Sequence, residues 1–301
     1  MNPKEMPKSI TIVGSGAIGI EFASFYNSLG CNVSVIEIAN RILPNEDIEV
    51  SKSAQSEFEK NGIKFYLSSS IKSLTEKNNK CDLTIVSSEK NKTEIITSEK
   101  IILAVGITGN IEDLNLEKIN IQTSEGHIPT NKWMQTNIEN IYAIGDVTGA
   151  PWLAHKASHE GVLCIEKISG LSPEPLNKDN IPGCVYSNPQ IASIGLTEKE
   201  ARDNNPNKIR VGKFPLLANG KAKAIGNEVG FIKVIYDDKN GELLGAHMLG
   251  DNVTELIHGY AIAKNMEGTE EDIISTIFPH PTISESLHEA VLNAYDMSIH
   301  Y

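Results

Sequence analysis

The stretch Ile10-Thr11-Ile12-Val13-Gly14-Ser15-Gly16-Ala17-Ile18-Gly19 decides the fold. The short apolar run predicts a strand, and a helix is expected from Ala17 to Leu29, closed by Gly30. Between them Gly14, Gly16 and Gly19 fit G-x-G-x-x-G. The first glycine permits a tight turn, the second lets the backbone approach a pyrophosphate, and the third lets helix and strand pack closely. The helix N-terminus attracts the anion. Asn32 to Ile36 reads as the next strand and stops at Glu37, where an acid would bind a ribose 2′-hydroxyl and repel a 2′-phosphate. NAD is therefore expected over NADP.

Farther along, a helix is expected from Asp47 to Lys60 and a strand from Ile63 to Leu67. Ile101 to Val105 is a continuous apolar run of the kind found in a buried parallel strand. Asp82 to Ser87 and Thr93 to Ile96 alternate and predict a β-hairpin or small meander. From Gly109 to Asn180 the pattern is looser, with a short strand at Ile141 to Ile144 and a helix near Ala154 to Ser169. The last part differs again, with alternating strands at Lys208–Phe214, Gly230–Tyr236 and Leu243–Leu249 and helices at Val253–Asn265 and Ser284–Ala294. The fold class is α/β, a Rossmann-like nucleotide domain followed by a looser segment and a C-terminal α+β domain.

A chain of 301 residues is long enough for two or more domains. Its formal net charge of -12 argues against nucleic acid and against an anionic membrane surface. The N-terminal Met1 to Lys8 has no apolar core of a leader, and no stretch approaches a membrane span, so a cytoplasmic protein is expected. Cys31, Cys81, Cys164 and Cys184 are far apart in sequence, which predicts reduced thiols rather than a CxxC redox or zinc site.

Two further features bear on chemistry. His280-Pro281-Thr282-Ile283-Ser284-Glu285 places a histidine and a carboxylate five residues apart. Histidine can take and return a proton near neutrality, and a carboxylate on its other ring nitrogen would fix its tautomer. Glu21, inside the first helix, has two readings from the residues alone: near the reactive end of a nicotinamide, or a helix acid favoured by the dipole. Arg41 reads as a solvated or capping arginine ahead of a phosphate clamp. The remaining histidines, His127, His247, His258, His288 and His300 among them, lack metal-ligand spacing.

Several segments together resemble the dihydrolipoyl dehydrogenase family of flavin- and NAD-dependent disulfide oxidoreductases. They are Ser15 to Phe22, Arg41-Ile42-Leu43-Pro44 with Asp47, Tyr142 to Val147, Leu153 to Ala157, Ala218 to Ala222 and His280 to Glu285. The resemblance implies an NAD-binding domain over 1–108, a central segment over 109–180 that is the C-terminal part of an FAD domain, and a dimerisation domain over 181–301. It implies that Gly14, Gly16, Ile18 and Gly19 hold the NAD pyrophosphate, Glu37 the adenosine ribose, and Ile71 the adenine. Glu21 and Gly106 would lie at the nicotinamide half, Asp146 at the flavin ribityl chain and Ala154 near the flavin ring. His280 would be the catalytic base and Glu285 its orienting partner, acting across a homodimer. The implied substrate is dihydrolipoamide carried on a lipoylated acyltransferase of a 2-oxoacid dehydrogenase complex.

Members of this family also carry a separate N-terminal half of about 150 residues, an ordinary domain length. It brings a second glycine fingerprint and a C-x-x-x-x-C redox pair. This chain has one fingerprint and no such pair, so it is expected to correspond to the C-terminal two-thirds and not to be competent alone. Two departures stand beside this: Ile107 follows Gly106 where the family often has arginine, and Trp152 precedes Leu153 where a smaller residue is expected. The alternatives are a non-catalytic NAD-binding and dimerising module, or another disulfide reductase such as glutathione reductase, whose NADP preference Glu37 opposes.

Overall fold

The first strand, β1 (Ser9–Val13), is buried along its centre, and α1 (Ala17–Ser28) leaves it after only three residues. In a computed structural model describing residues 3–89, 91–204 and 208–301, these elements open an alternating run. They are followed by β2 (Asn32–Ile36), α2 (Ile48–Lys60) and β3 (Lys64–Tyr66). Next come β4 (Ser69–Lys77), β5 (Lys80–Ser87) and β6 (Lys92–Ser98), which form their own antiparallel sheet, and then β7 (Lys100–Leu103). The parallel sheet has the order β3-β2-β1-β7, with Ile10 opposite Val33 on one side and Lys100 on the other. Its core of Ile10, Ile12, Val33 and Val35 packs with Ile20 and Ala23 of α1 and Val50, Ala54 and Phe58 of α2. That is the strand–helix alternation expected of an α/β nucleotide fold.

Two details differ from the sequence reading. The apolar run ending at Val105 is an edge strand, not a buried one: Leu103 is 71% and Val105 70% exposed. Among the described residues only β1 pairs with it, and apolar composition reports a strand's suitability for burial, not whether both faces are covered. The meander also has a third strand, β4, which the sequence hid because its residues after Ser69 are exposed and carry no alternating signal.

Residues 106–181 form a separate compact unit, while 1–105 and 182–301 together form the other. In the smaller unit the expected strand at Ile141–Ile144 is absent. Tyr142 makes a single antiparallel bridge to Gln135, through hydrogen bonds from the Thr136 N–H to the Ile141 carbonyl and from the Ala143 N–H to the Met134 carbonyl, and among the described residues no neighbouring strand extends the ladder. Helix α3 (Ala154–Ile168) packs Leu163 and Cys164 on Met134, with Trp133 and Tyr142 beside them.

The C-terminal part supplies β8 (Gly183–Val185), β9 (Gln190–Gly195), α4 (Glu198–Asn204), β10 (Ile209–Pro215), α5 (Gly220–Ile225), β11 (Phe231–Asp237) and β12 (Leu243–Gly250). Helices α6 (Val253–Asn265), α7 (Glu270–Ile274) and α8 (Glu285–Ala294) follow. The sheet order is β10-β11-β12-β9-β8, all antiparallel. Leu287, Ala290, Val291 and Ala294 of α8 pack on its core through Phe214, Ile232 and Val234.

A polar row crosses this otherwise apolar sheet. Lys213 lies opposite Lys233, Lys233 opposite His247, and His247 opposite Ser193, so the four side chains share one face. Lys213, Lys233 and Ser193 meet the Glu46–Glu49 segment at the start of α2, while the His247 ring bonds the Leu196 carbonyl at 2.9 Å. Lys233, 1% exposed, contacts Asp47 at 3.0 Å, Glu49 at 2.8 Å and Glu198 at 2.6 Å. Asp47 also caps α2 by accepting from the Glu49 N–H at 2.9 Å. Beside it, Glu46 accepts from the Ser193 hydroxyl at 3.3 Å, while its other oxygen is shut off from solvent with no partner among the described residues. Burial pushes this carboxyl up to about 7. Arg41 clamps the same loop, its guanidinium donating to the carbonyls of Glu46 and Pro44, which fits the capping reading.

Candidate functional site

Gly14 has φ of +99°, and a Cβ there would stand 2.2 Å from the Ala104 carbonyl oxygen. A Cβ on Gly19 would stand 2.1 Å from the Gly14 carbonyl oxygen. Both contacts are with backbone and cannot rotate away, so strand, turn and helix approach closely only with glycine. Over Gly16 the space is open, and this N-cap residue places no side chain on the helix end. The first N–H groups of the twelve-residue helix α1 therefore face a clear space with no acidic residue in the first turn. That arrangement fits a pyrophosphate, and Ile18 is exposed beside it.

Glu37 is buried at the end of β2. One oxygen accepts from the Ser15 N–H at 2.8 Å and the Ser15 hydroxyl at 2.6 Å, and the other from the Ala39 N–H at 2.8 Å. The expected ribose acid thus also ties down the glycine turn, a role invisible in the sequence. Three of roughly four acceptor positions on a carboxylate are filled, which leaves one for a ligand. The Leu43 N–H donates to the Ser15 carbonyl at 2.9 Å, so the loop before α2 braces the same turn. Glu21, further along α1, accepts from the Tyr186 N–H at 2.9 Å. Ile71 lies on β4, separate from the parallel sheet, and is 37% exposed.

Gly106, Asp146 and Ala154 belong to the smaller unit. Gly106 has φ of +142° with open space where a Cβ would be. Asp146 is exposed on a 3-10 turn, Gly145–Thr148, and Ala154 is exposed at the first position of α3. A buried ion pair holds this turn from behind. Lys156 meets Glu160 at 3.1 Å and donates to the Gly149 carbonyl at 3.0 Å and the Thr148 hydroxyl at 3.2 Å. Glu160 accepts from the Gly145 N–H at 2.7 Å. The sequence reading assigned nothing to Lys156. The signal was available: a lysine and a glutamate four apart, on one helix face.

His280 and Glu285 meet as their spacing suggests. The imidazole Nδ1 is 2.9 Å and 3.2 Å from the two oxygens of Glu285, which also accepts from the Thr282 N–H at 2.9 Å. Partial burial pushes the Glu285 carboxyl up, but the Thr282 and His280 hydrogen bonds outweigh it and hold the group below its ordinary value. An ionised carboxylate only accepts, so the shared proton sits on Nδ1 and leaves Nε2 as the basic atom. The His280 side chain is 77% exposed, open to a reactant from outside the chain. On the next turn of α8, Glu289 holds His300 at 2.8 Å. Among the described residues no group of three histidine, cysteine or acidic side chains could hold a metal ion, and no helix is long and apolar enough to cross a membrane. The four cysteines are free.

Known proteins resemble this chain along nearly its whole length. Residues 1–161 match a family described as pyridine nucleotide-disulphide oxidoreductase, and residues 181–291 match the dimerisation domain of that family. A dihydrolipoyl dehydrogenase of Rhizobium etli is 50% identical over 98% of this chain and 61% of its own length. One from Bacillus subtilis is 43% identical over 99% and 63%. Among solved structures, LpdA of Mycobacterium tuberculosis superposes with a TM-score of 0.88 at 25% identity, covering 96% of this chain and 62% of that one. The HOCl-induced flavoprotein disulfide reductase RclA of Escherichia coli, as a Cu(II) complex, gives 0.89 at 26%, covering 96% and 65%. This chain thus spans about three-fifths of the length of its curated relatives. Its glycine turn, its C-terminal sheet and its match along both segments make it a member of the pyridine nucleotide-disulphide oxidoreductase family.

Proposed function

We propose that this chain is the nucleotide-binding and interface part of a dihydrolipoyl dehydrogenase, which oxidises protein-bound dihydrolipoamide to lipoamide and reduces NAD+ to NADH. The observation that carries this reading is His280 held through Nδ1 by Glu285, with Nε2 open to solvent. A dihydrolipoamide thiol has an ordinary value of roughly 8.5, so near neutrality it needs a base to become a nucleophile. His280 Nε2 takes that proton, and Glu285 stabilises the resulting imidazolium. Bound flavin and NAD would supply the redox relay. Gly14, Gly16, Ile18 and Gly19 would hold the NAD pyrophosphate, and the remaining acceptor position of Glu37 the adenosine ribose. Ile71 would flank the adenine, and Glu21 and Gly106 the nicotinamide half. For FAD, this chain would offer Asp146, on its pinned turn, and the backbone at Ala154. The implied assembly is a homodimer serving a lipoylated acyltransferase of a 2-oxoacid dehydrogenase complex. The relatives named dihydrolipoyl dehydrogenase, together with Glu37, disfavour a glutathione reductase reading.

The purified 301-residue chain is expected to bind NADH, because the glycine turn and Glu37 lie within it, but not to oxidise dihydrolipoamide, because its four cysteines offer no acceptor disulfide. Calorimetry and an NADH-formation assay check the two halves. Dihydrolipoamide-dependent NADH formation by this chain alone would overturn the second. The glycine turn has its own test. Gly19→Ala forces α1 off the strand and is expected to weaken NADH binding by roughly tenfold or more, about 1.4 kcal/mol. Unchanged NADH affinity in a folded variant would remove the nucleotide from this turn.

A further inference from the structure

Ala218-Asn219-Gly220-Lys221-Ala222 has no part in the chemistry above, yet its asparagine is only 4% exposed. A primary amide offers one acceptor oxygen and two donor hydrogens. The Asn219 oxygen accepts from the Ala222 N–H at 2.9 Å and caps α5. The nitrogen donates to the Thr282 carbonyl at 3.0 Å and the Ser286 hydroxyl at 3.0 Å. These partners lie 63 and 67 residues away and bracket Glu285. Thr282 is therefore gripped twice. Its carbonyl is held by Asn219, and its N–H holds Glu285, whose carboxylate in turn holds His280. The Thr282 hydroxyl closes the loop by donating to the Pro279 carbonyl at 2.7 Å.

We propose that Asn219 is a positioning residue for His280, fixing the Thr282–Ser286 turn so that Glu285 keeps the imidazole proton on Nδ1 and Nε2 free. His280 itself projects into solvent, so its orientation rests on this relay rather than on packing around the ring. The role of Asn219 follows from two donors reaching the loop and is separate from its capping of α5. A residue that caps without donating tells the two apart. Aspartate and serine are both good N-caps. Aspartate has no hydrogen to give and sets an oxygen against the Thr282 carbonyl, while serine is too short to reach it. The inference rests on the reading of His280 as the base.

The test is nitrogen-15 NMR of the histidine rings in the 301-residue chain, at a pH where His280 is neutral, with the signal assigned by its loss in His280→Gln. Wild type is expected to show Nδ1–H. In Asn219→Asp and Asn219→Ser the ratio of Nε2–H to Nδ1–H should rise by roughly five- to tenfold, the effect of losing about one hydrogen bond. NADH binding and helix content should be retained. If Asn219→Asp does not fold, Asn219→Ser decides alone. A folded variant with the wild-type tautomer ratio overturns the inference. A wild-type ring that is mainly Nε2–H overturns instead the base assignment on which it rests, and the two failures are distinguishable in one set of spectra.

Discussion

His280→Ala is expected to lower dihydrolipoamide-dependent NADH formation by roughly 10²–10⁴-fold, the usual contribution of a positioned general base. The measurement needs a protein with a redox disulfide, such as a chimera joining this chain to the part of the Rhizobium etli relative that it does not span. Glu285→Gln should cost less than His280→Ala, because a glutamine can still face Nδ1 but cannot offset the imidazolium charge. Neither change should alter NADH affinity. Activity of His280→Ala within a few-fold of wild type would show that another group takes the thiol proton.

Lys233→Met is expected to destabilise the chain by about 3 kcal/mol, the lower end of what breaking a buried ion pair costs. The methionine keeps most of the volume, so the loss reports on charge. Asp47, also buried, is left without its cation, while the half-exposed Glu49 is screened by water and contributes little. Thermal unfolding should fall by roughly 10 °C. The pH dependence has a definite sign. Burial raises Asp47, but the Lys233 hydrogen bond and charge and the backbone N–H groups outweigh it and hold the carboxyl low. Its stabilising contribution is therefore present at neutral pH and lost as pH falls through the folded value. Glu46 has the opposite sign. Raised to about 7, it binds a proton more readily when folded, and its contribution grows as pH falls from 7 toward the ordinary carboxylate range. Glu46 is common to both proteins and cancels, so the gap between Lys233→Met and wild type should hold from pH 7 to about pH 4 and narrow at about pH 3, below the ordinary aspartate range, and adding Asp47→Asn should recover part of it. Urea unfolding across these pH values is the check. A single variant as stable as wild type at pH 7 would mean that the cluster contributes nothing net.

The legible features were those set by local geometry. The glycine turn could be read because Gly14 takes a positive φ within its own turn and Gly19 packs on the Gly14 carbonyl, and His280 with Glu285 because one short loop carries both. Resemblance then attached roles to Ile71, Gly106, Asp146 and Ala154 that no local pattern indicated. What stayed hidden depends on pairing across the chain. Lys233 reads as a charge in the middle of a β-strand, and nothing near it announces that Asp47 stands opposite. Asn219 looks like a helix cap, which it is, while its second function depends on a loop more than sixty residues away. Leu103 and Val105 misled for the converse reason, since apolar composition says nothing about which edge of a sheet a strand occupies.

The pairing of Asp47 with Lys233 also bears on how the molecule is made. The larger unit comprises two chain segments, 1–105 and 182–301, separated by the smaller one. Lys233 follows Asp47 by 186 residues, so at roughly 5–20 residues per second the ribosome delivers it about 10–40 s later. Through that interval the carboxylate destined for burial remains a solvated anion at the head of its helix. The nucleotide fold can assemble its apolar core early, but its polar seam must wait until translation reaches the far strand.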